Sequence, residues 1–350
     1  MKTKLIFVGI SIVVVVAVAY FTTKTSKLPE AESGFSVSVF ADKLDKPAFV
    51  VFDAKNRAIV SEPKSGKVIL LPDTVLIENL RMPSGLAMFQ NYLYVSEAHQ
   101  VSRWRYDVDQ GKLLDKGGTN MANLVASDLH PMHMILFGPN YRTTAILTGS
   151  RGQQTLNPEK LYIAAGSSCN LCVDDTWKRA AVLESDPDGN FTAEFVGGLR
   201  YPTGLAIHPT THALWATEQS TDGLPDEINI LQAPTTAQKF GARRYGWPFC
   251  YGKQIRDASF NPTKVDRIDI PQDCAETEPA TMELSADSDP TGLVFWNGAL
   301  VVALKDSVTR DGQPLLAGLH PTSLAISPDG ALIVVDSKAG KIYRITAIKR

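Results

Sequence analysis

The chain lacks the charge pattern of a nucleic-acid-binding protein. Its 35 Lys and Arg residues are balanced by 37 Asp and Glu residues, the formal net charge is -2, and no long run of basic residues occurs. Without a basic patch there is no electrostatic footprint for a phosphate backbone, so nucleic acid is excluded as a partner. Small molecules or proteins are the expected partners.

Long amphipathic stretches with helical periodicity are also missing, so we expect helices to be minor. The hydrophobic fraction is 44% over 350 residues, which is enough apolar material for a large buried core. These two features together favour an all-β domain.

The first 21 residues form a targeting segment. Lys2 and Lys4 precede an uncharged apolar run from Leu5 to Phe21, which predicts export across a membrane. The run is either a signal peptide, cleaved near Ala17–Ala19, or an anchor that spans the inner membrane. In both cases we expect the domain in the periplasm or another extracytoplasmic space. Residues 22–34 are interpreted as a tether.

Cysteine is scarce, with Cys169, Cys172, Cys250 and Cys274 the only four. In an exported protein these predict two disulfides. Of the three possible connectivities, 169–172 with 250–274 needs the shortest loops. A zinc site is the alternative, although it would need further ligands at close spacing. Val173 follows Cys172, which excludes the c-type haem motif.

One strand-turn-strand sequence motif, called here the repeated phrase, occurs six times. The copies begin at Pro47, Pro83, Pro131, Pro202, Pro290 and Pro321, for example PTGLAIHPTTHALWATE and PTSLAISPDGALIVVD. Two short strands joined by a tight turn fit each copy. The third copy is interrupted between Tyr141 and Pro158. Six repeats predict a six-bladed β-propeller over residues 35–350, in which the strand FSVSVFA at 35–41 closes the ring by pairing with the last blade.

In such a ring the residues that flank each phrase meet at the mouth of the central channel. His130 and Arg200 immediately precede two of the phrases. A neutral imidazole can act as a general base, and a guanidinium can stabilise negative charge. Glu62, Glu97 and Asp336 follow second strands, and are candidate ligands for a metal-dependent hydrolase of the lactonase type.

The stretch from Thr217 to Asn229, TEQSTDGLPDEIN, is rich in the oxygen ligands that calcium prefers. A polar loop without metal is the alternative. Asp186–Asn190 also contains carboxylates, but it lies between two predicted strands and is interpreted as a hairpin turn.

Five strings of the sequence resemble the glucose/sorbosone dehydrogenase family: FGPN and KLYIAAGSSCNLC within 137–172, GLRYPTGLAIHP at 198–209, ATEQSTDGLPDEIN at 216–229 and YGWPFCYG at 245–252. The resemblance implies a propeller that oxidises sugars or aldehydes with pyrroloquinoline quinone (PQQ) and calcium, and passes the electrons to an external acceptor.

The resemblance also assigns roles to individual residues. It makes His130 the base, Arg200 the group that stabilises reduced cofactor, and Gln219 a cofactor contact. Backbone carbonyls at Ser220 and Thr221 would hold the catalytic calcium. A second, structural calcium site would comprise Asp226, Glu227 and Tyr245.

The chain departs from the family in two places. Tyr201 stands where the family has an asparagine beside cofactor and calcium. The connection from Leu304 to Leu319 is short and lacks the family's lysine and paired arginines, so Lys305 or Arg310 would have to supply positive charge to the cofactor. These departures leave open a second function, a catalytically degenerate propeller that binds a glycan or a protein.

Overall fold

The computed structural model describes residues 28–144, 159–234 and 241–348. The described chain forms six blade sheets, one for each copy of the repeated phrase, and a separate two-stranded hairpin. The leader at 1–21 and most of the predicted insertion at 141–158 lie outside the described residues. Within the described ranges, no helix is long and apolar enough to cross a membrane.

Blades one to three each begin with the two strands of a repeated phrase. Blade one contains Val50–Phe52, Ala58–Glu62, Lys67–Leu70 and Thr74–Ile77. Blade two contains Leu86–Phe89, Tyr92–Ser96, Gln100–Asp107, Lys112–Leu113 and Thr119–Asn123. Blade three contains Ile135–Pro139, Glu159–Ala165, Ala181–Ser185 and Thr192–Gly197, with Arg243–Arg244 added in parallel at its edge.

Blades four to six follow the same order. Blade four contains Pro202–Ile207, Leu214–Glu218, Pro225–Leu231 and Met282–Ala286. Blade five contains Gly292–Trp296, Ala299–Leu304, Ser307–Arg310 and Gln313–Ala317, with Glu30–Ala31 at its edge. Blade six contains Pro321–Ile326, Leu332–Asp336, Lys341–Ala347 and Phe35–Ala41.

The first strands of the six blades contact one another in a closed ring, so they surround the central channel. The ring closes as predicted, because Phe35–Ala41 pairs with Lys341–Ala347 of the last blade. The all-β six-bladed propeller is thereby confirmed. Helix is minor in the described residues, with one turn at Tyr141–Thr144 and a 3₁₀ turn at Cys274–Glu276.

The core lies between the blades. Six apolar clusters occupy the six junctions between neighbouring blades. Ile59 packs toward blade two while its neighbour Val60 packs toward blade six. Both faces of each sheet are therefore buried, which explains why the second strands read as unbroken apolar runs.

The propeller begins earlier in the chain than predicted. Pro29 is buried, and Glu30 and Ala31 pair with Ala317 and Leu316 of blade five. Part of the predicted tether at 22–34 is thus a fifth strand of that blade, which covers the edge that Gln313–Ala317 would otherwise expose.

Both disulfides form with the shortest loops, Cys169–Cys172 and Cys250–Cys274. The zinc interpretation is wrong, since no free cysteine remains. The second disulfide lies in a long excursion between the last two strands of blade four, which also carries a hairpin of Cys250–Tyr251 and Ile255–Arg256. Trp247 and Tyr251 of this excursion pack against the half-buried Cys169 and Cys172.

Candidate active site at the channel mouth

The site lies where the first strands begin. A cavity of about 60 Å³ occupies this mouth and collects residues from five blades: Phe49, Met132, Met134, Tyr201, Thr203, Gln219, Thr291 and Thr322. Such a volume holds water molecules but not a sugar or a quinone, so a larger ligand has to bind over the mouth, against the loops that lead into the blades.

His130 is buried beside the mouth and is held by its main-chain surroundings. Its Nδ1 lies 2.8 Å from the carbonyl oxygen of Ser167, and a carbonyl can only accept, so Nδ1 carries the proton in the neutral ring. Nε2 then carries the lone pair, and no hydrogen bond joins it to any of the described residues. Burial is the main cause that lowers the pKa of His130 to about 4, and the nearby Arg200 charge adds to the effect. The imidazole is neutral at pH 7 and suited to accept a proton.

Tyr201 and Gly166 shape the space around this imidazole. The rings of His130 and Tyr201 stack with centroids 4.3 Å apart. A Cβ on Gly166 would come within 2.6 Å of His130 Cβ and 2.7 Å of Tyr201 Cδ2. Only glycine at 166 leaves room for the stacked pair.

Arg200 is also buried, and its guanidinium is held by neutral oxygens. Nε and Nη2 donate to the backbone and side-chain oxygens of Asn170 at 3.0 and 2.5 Å. Nη1 donates to the carbonyls of Gln219 and Ser220 at 3.2 and 2.9 Å. Among the described residues no carboxylate forms an ion pair with this guanidinium, although the Glu218 carboxylate accepts the Arg200 backbone N–H at 2.5 Å. The positive charge therefore remains available to an anionic ligand.

The other predicted cofactor residues lie on the same face. Gln219 lines the mouth and donates from Nε2 to the Pro290 carbonyl at 3.0 Å. Lys305 lies on the rim of blade five, where its Nζ pairs with Asp289 at 2.7 Å. Arg310 lies at the far end of its strand, with its guanidinium over the ring of Phe35. Of the two proposed substitutes for the family's cationic segment, only Lys305 is on the face that carries the site.

The predicted calcium carbonyls are already engaged. Ser220 O accepts from Arg200, and Thr221 O accepts from the Leu224 N–H at 3.1 Å. The Ser220 and Thr221 hydroxyls and Glu218 Oε2 are buried without a hydrogen-bond partner among the described residues, so oxygen atoms without a partner lie beside these carbonyls. In the described part of the chain no group of three or more His, Cys, Asp or Glu side chains is arranged to hold a metal.

The residues predicted for structural calcium are close in sequence but have separate partners. Asp226 accepts from Ser220 N, Ser288 Oγ and Asp289 N. Glu227 accepts from Gly252 N and Asn229, and burial raises its pKa to about 7. The Tyr245 hydroxyl bonds instead to Ile230 O at 2.7 Å and Gln232 N at 3.1 Å. The calcium assignments stay predictions.

The acidic residues at the ends of the second strands, called here the repeated carboxylates, share one structural role. Each is buried and accepts a backbone N–H from the loop that leads into its own blade. The pairs are Glu62 with Asp45, Glu97 with Arg81, Glu218 with Arg200, and Asp336 with His320. These carboxylates hold loops in place and do not converge on a metal, so the lactonase-type interpretation of Glu62, Glu97 and Asp336 is wrong.

Blade three lacks this carboxylate, and its place in the repeat is taken by Gly166. The segment after it, which includes Ser167 and Asn170, contacts both His130 and Arg200. Sequence reasoning missed both residues. The signal that was present is the break in the repeat, since an acidic residue ends the second strand in four of the other blades.

The fold and the site together define a class of protein: a six-bladed propeller with a neutral imidazole and a charged guanidinium buried side by side at the channel mouth. Residues 29–313 match the TrAA12-like family. The chain belongs to this family.

Relatives and solved structures agree with that assignment. The aldose sugar dehydrogenase YliI of Escherichia coli is 27% identical over 172 residues, covering 43% of this chain and 42% of that protein. A calcium structure of a Trichoderma reesei family AA12 enzyme superposes with TM-score 0.73 at 16% identity, covering 91% of this chain and 97% of the other. The PQQ-bound aldose sugar dehydrogenase of Streptomyces coelicolor superposes with TM-score 0.64 at 18% identity, covering 92% and 100%. The predicted resemblance to sugar dehydrogenases is confirmed at the level of the fold.

Proposed function

We propose that the chain is an exported quinoprotein oxidoreductase that oxidises a sugar or a related aldehyde, with PQQ bound over the channel mouth. The observation that carries this proposal is His130, a buried neutral imidazole that lies beside the buried cation Arg200 and whose unprotonated Nε2 has no hydrogen-bond partner among the described residues. The PQQ-bound state of a structural neighbour adds support.

The residues at the mouth fit a planar anionic cofactor. Phe49, Met132 and Tyr201 line the mouth and offer apolar and aromatic surface to a flat ring system. Arg200 lies beside them, and Lys305, His320 and Lys338 lie on the rim of blades five and six, where Lys338 Nζ is 2.9 Å from His320 Nε2. These groups can supply positive charge to carboxylates without the family's cationic segment.

In this mechanism His130 removes the substrate's hydroxyl proton at Nε2 while the Ser167 carbonyl holds Nδ1–H and fixes the ring. PQQ, if bound, would accept the hydride from the carbon that carries this hydroxyl. Arg200 stabilises the negative charge that develops at the mouth. No step is assigned to calcium; the carbonyls of Ser220 and Thr221, each with two lone pairs, would be its ligands if it binds.

The test is to purify the exported domain, add PQQ with and without calcium, and follow both cofactor absorbance and dye reduction with a panel of aldoses and aldehydes. We expect a bound-cofactor spectrum and turnover of at least one substrate. His130→Ala should abolish turnover while the cofactor still binds. A protein that neither binds PQQ nor reduces dye would refute the proposal and favour the propeller that binds a glycan or a protein.

A further inference from the structure

One short segment of blade three contacts both groups of the proposed reaction. This segment, residues 166–172, follows the second strand of the blade. Ser167 O accepts from His130 Nδ1 at 2.8 Å, and the two oxygens of Asn170 accept from Arg200 Nε and Nη2 at 3.0 and 2.5 Å. The base and the cation are therefore oriented by the same seven residues.

A disulfide closes this segment. Cys169 and Cys172 are bonded with Cα atoms 6.1 Å apart, and Asn170 and Leu171 form the tip of the loop between them. Asn170 is exposed, and an exposed loop of this kind loses considerable conformational entropy when its side chain is held in one place. The crosslink restricts the loop in advance and so favours the arrangement in which both Asn170 oxygens meet Arg200.

The contacts of Arg200 show how much depends on Asn170. Two of its four side-chain hydrogen-bond acceptors come from Asn170, and the other two are the carbonyls of Gln219 and Ser220 in blade four. All four acceptors are neutral. They orient the guanidinium without cancelling its charge, whereas an ion pair would compete with an anionic ligand.

We propose that Asn170 is the positioning residue for Arg200, and that the Cys169–Cys172 disulfide is required for it to act. The effect on cofactor affinity rests on the proposed function, while the effect on Arg200 itself does not. Reduction by a dithiol would convert the cystine into two thiols as the reagent forms its own cyclic disulfide. The freed loop would then release the guanidinium.

The first experiment measures Arg200 directly. In ¹⁵N-labelled protein without cofactor, the Nε–H resonance of Arg200, assigned with Arg200→Lys, should exchange slowly with solvent. Asn170→Gly keeps the backbone carbonyl and removes the whole side chain with the oxygen that accepts from Nη2, and Cys169→Ser with Cys172→Ser opens the ring. We expect faster exchange in both variants. Unchanged exchange in both would overturn the proposal, whether or not the protein binds PQQ.

The second experiment measures PQQ affinity by fluorescence quenching. Asn170→Gly should weaken binding about tenfold, the loss expected for one hydrogen bond to a charged group. The Cys169/Cys172 double variant should lose a similar factor, and the combined variant little more, because the two changes act on one contact. If the two losses of PQQ affinity multiply in the combined variant, Asn170 and the disulfide do not act on one contact, and their shared role is refuted.

The matched control is Cys250→Ser with Cys274→Ser. This disulfide is buried in the blade-four excursion with Phe249, and none of the four acceptors of the Arg200 side chain belongs to either cysteine. Its loss should lower the thermal midpoint and leave PQQ affinity and Arg200 exchange unchanged in the folded protein. If wild type does not bind PQQ, the proposed function fails and the exchange measurement alone decides the role of Asn170.

Discussion

The chemistry of His130 comes from its burial rather than from a carboxylate partner. In the described part of the chain no acidic side chain bonds to the ring, and a carbonyl oxygen sets its tautomer. Desolvation disfavours the imidazolium, and the adjacent Arg200 charge disfavours it further, while the Ser167 bond and the more distant Asp174 act in the opposite direction. The result is a base that stays available well below neutral pH.

This environment predicts the acidic limb of the activity profile. The ratio kcat/KM should stay level as the pH falls from about 7 to about 5 and then drop with a midpoint near 4, because protonation of His130 removes the base. Initial rates across a pH series measure the limb. A midpoint near the ordinary histidine value of about 6.5 would contradict the assignment. His208→Ala changes a histidine just beyond the far end of the first strand of blade four and should leave the midpoint in place.

Burial of the neutral ring also links stability to pH. Its pKa is lower in the folded than in the unfolded chain, so only the unfolded chain takes up this proton between about 6.5 and 4. The contribution of His130 to the free energy of unfolding therefore falls as the pH drops through this window.

Gly166 offers a second test at this scale. Gly166→Ala places a methyl group against His130 and Tyr201, and we expect it to lower the free energy of unfolding by about 1–3 kcal/mol and to weaken PQQ binding. Urea titrations and cofactor titrations measure the two effects. Gly117→Ala is the control, since no atom lies within 4 Å of the added Cβ. Equal effects of the two substitutions would show that the space around the stacked pair is not limiting.

The strands of each blade were predictable because the information that forms them is local. Turn residues and unbroken apolar runs mark the hairpins, as in PTSLAISPDGALIVVD, which becomes Pro321–Ile326 and Leu332–Asp336. Two short edge strands were not predictable. Glu30–Ala31 and Arg243–Arg244 form strands only because another blade presents an edge to them, and such contacts leave no local pattern.

The residues of the candidate site were likewise predictable only where they carry a local sequence pattern. His130 and Arg200 stand in recognisable positions before the repeated phrases. Asn170 depends on a contact across two blades, between the loop of blade three and the start of blade four. The repeated carboxylates were recognised as a set, but their role depends on which backbone N–H each one meets, and only the folded chain shows that.

The repeated carboxylate predicts a stability effect. Glu97 accepts from Arg81 N and from Gln100 Nε2. Glu97→Ala should lower the free energy of unfolding by about 1–3 kcal/mol, because it leaves a loop N–H without its acceptor. Chemical denaturation measures the loss. Glu78→Ala removes an exposed carboxylate of the same type and should have little effect, so a similar loss in both variants would contradict the role of Glu97.

The whole molecule depends on joining the two ends of the chain. Phe35–Ala41 is the fourth strand of blade six, although the other three strands of that blade lie at the C-terminus. Without it, blade six would expose the edge of Lys341–Ala347 and the ring would lose its closing contact.

Two truncations test this closure. A chain that starts at residue 28 should fold and remain soluble, whereas one that starts at residue 42 should aggregate or unfold at a markedly lower temperature. Solubility and thermal unfolding by circular dichroism distinguish them. Equal stability of the two would show that the ring does not need its closing strand.

The short strand Glu30–Ala31 has a consequence for how the protein meets a membrane. Glu30 pairs with Ala317, and Ala317 pairs with Ser307. These residues lie at the same end of blade five as Thr291, which lines the channel mouth. The chain thus joins the propeller on the face that carries His130. If residues 5–21 remain in the bilayer, the roughly eight residues before Glu30 span at most about 30 Å. The face with the mouth would then lie close to the bilayer, where we expect a lipophilic quinone to reach it more readily than a water-soluble acceptor does. Full-length protein in vesicles should reduce such a quinone faster than a water-soluble dye, and the reverse preference would exclude this orientation.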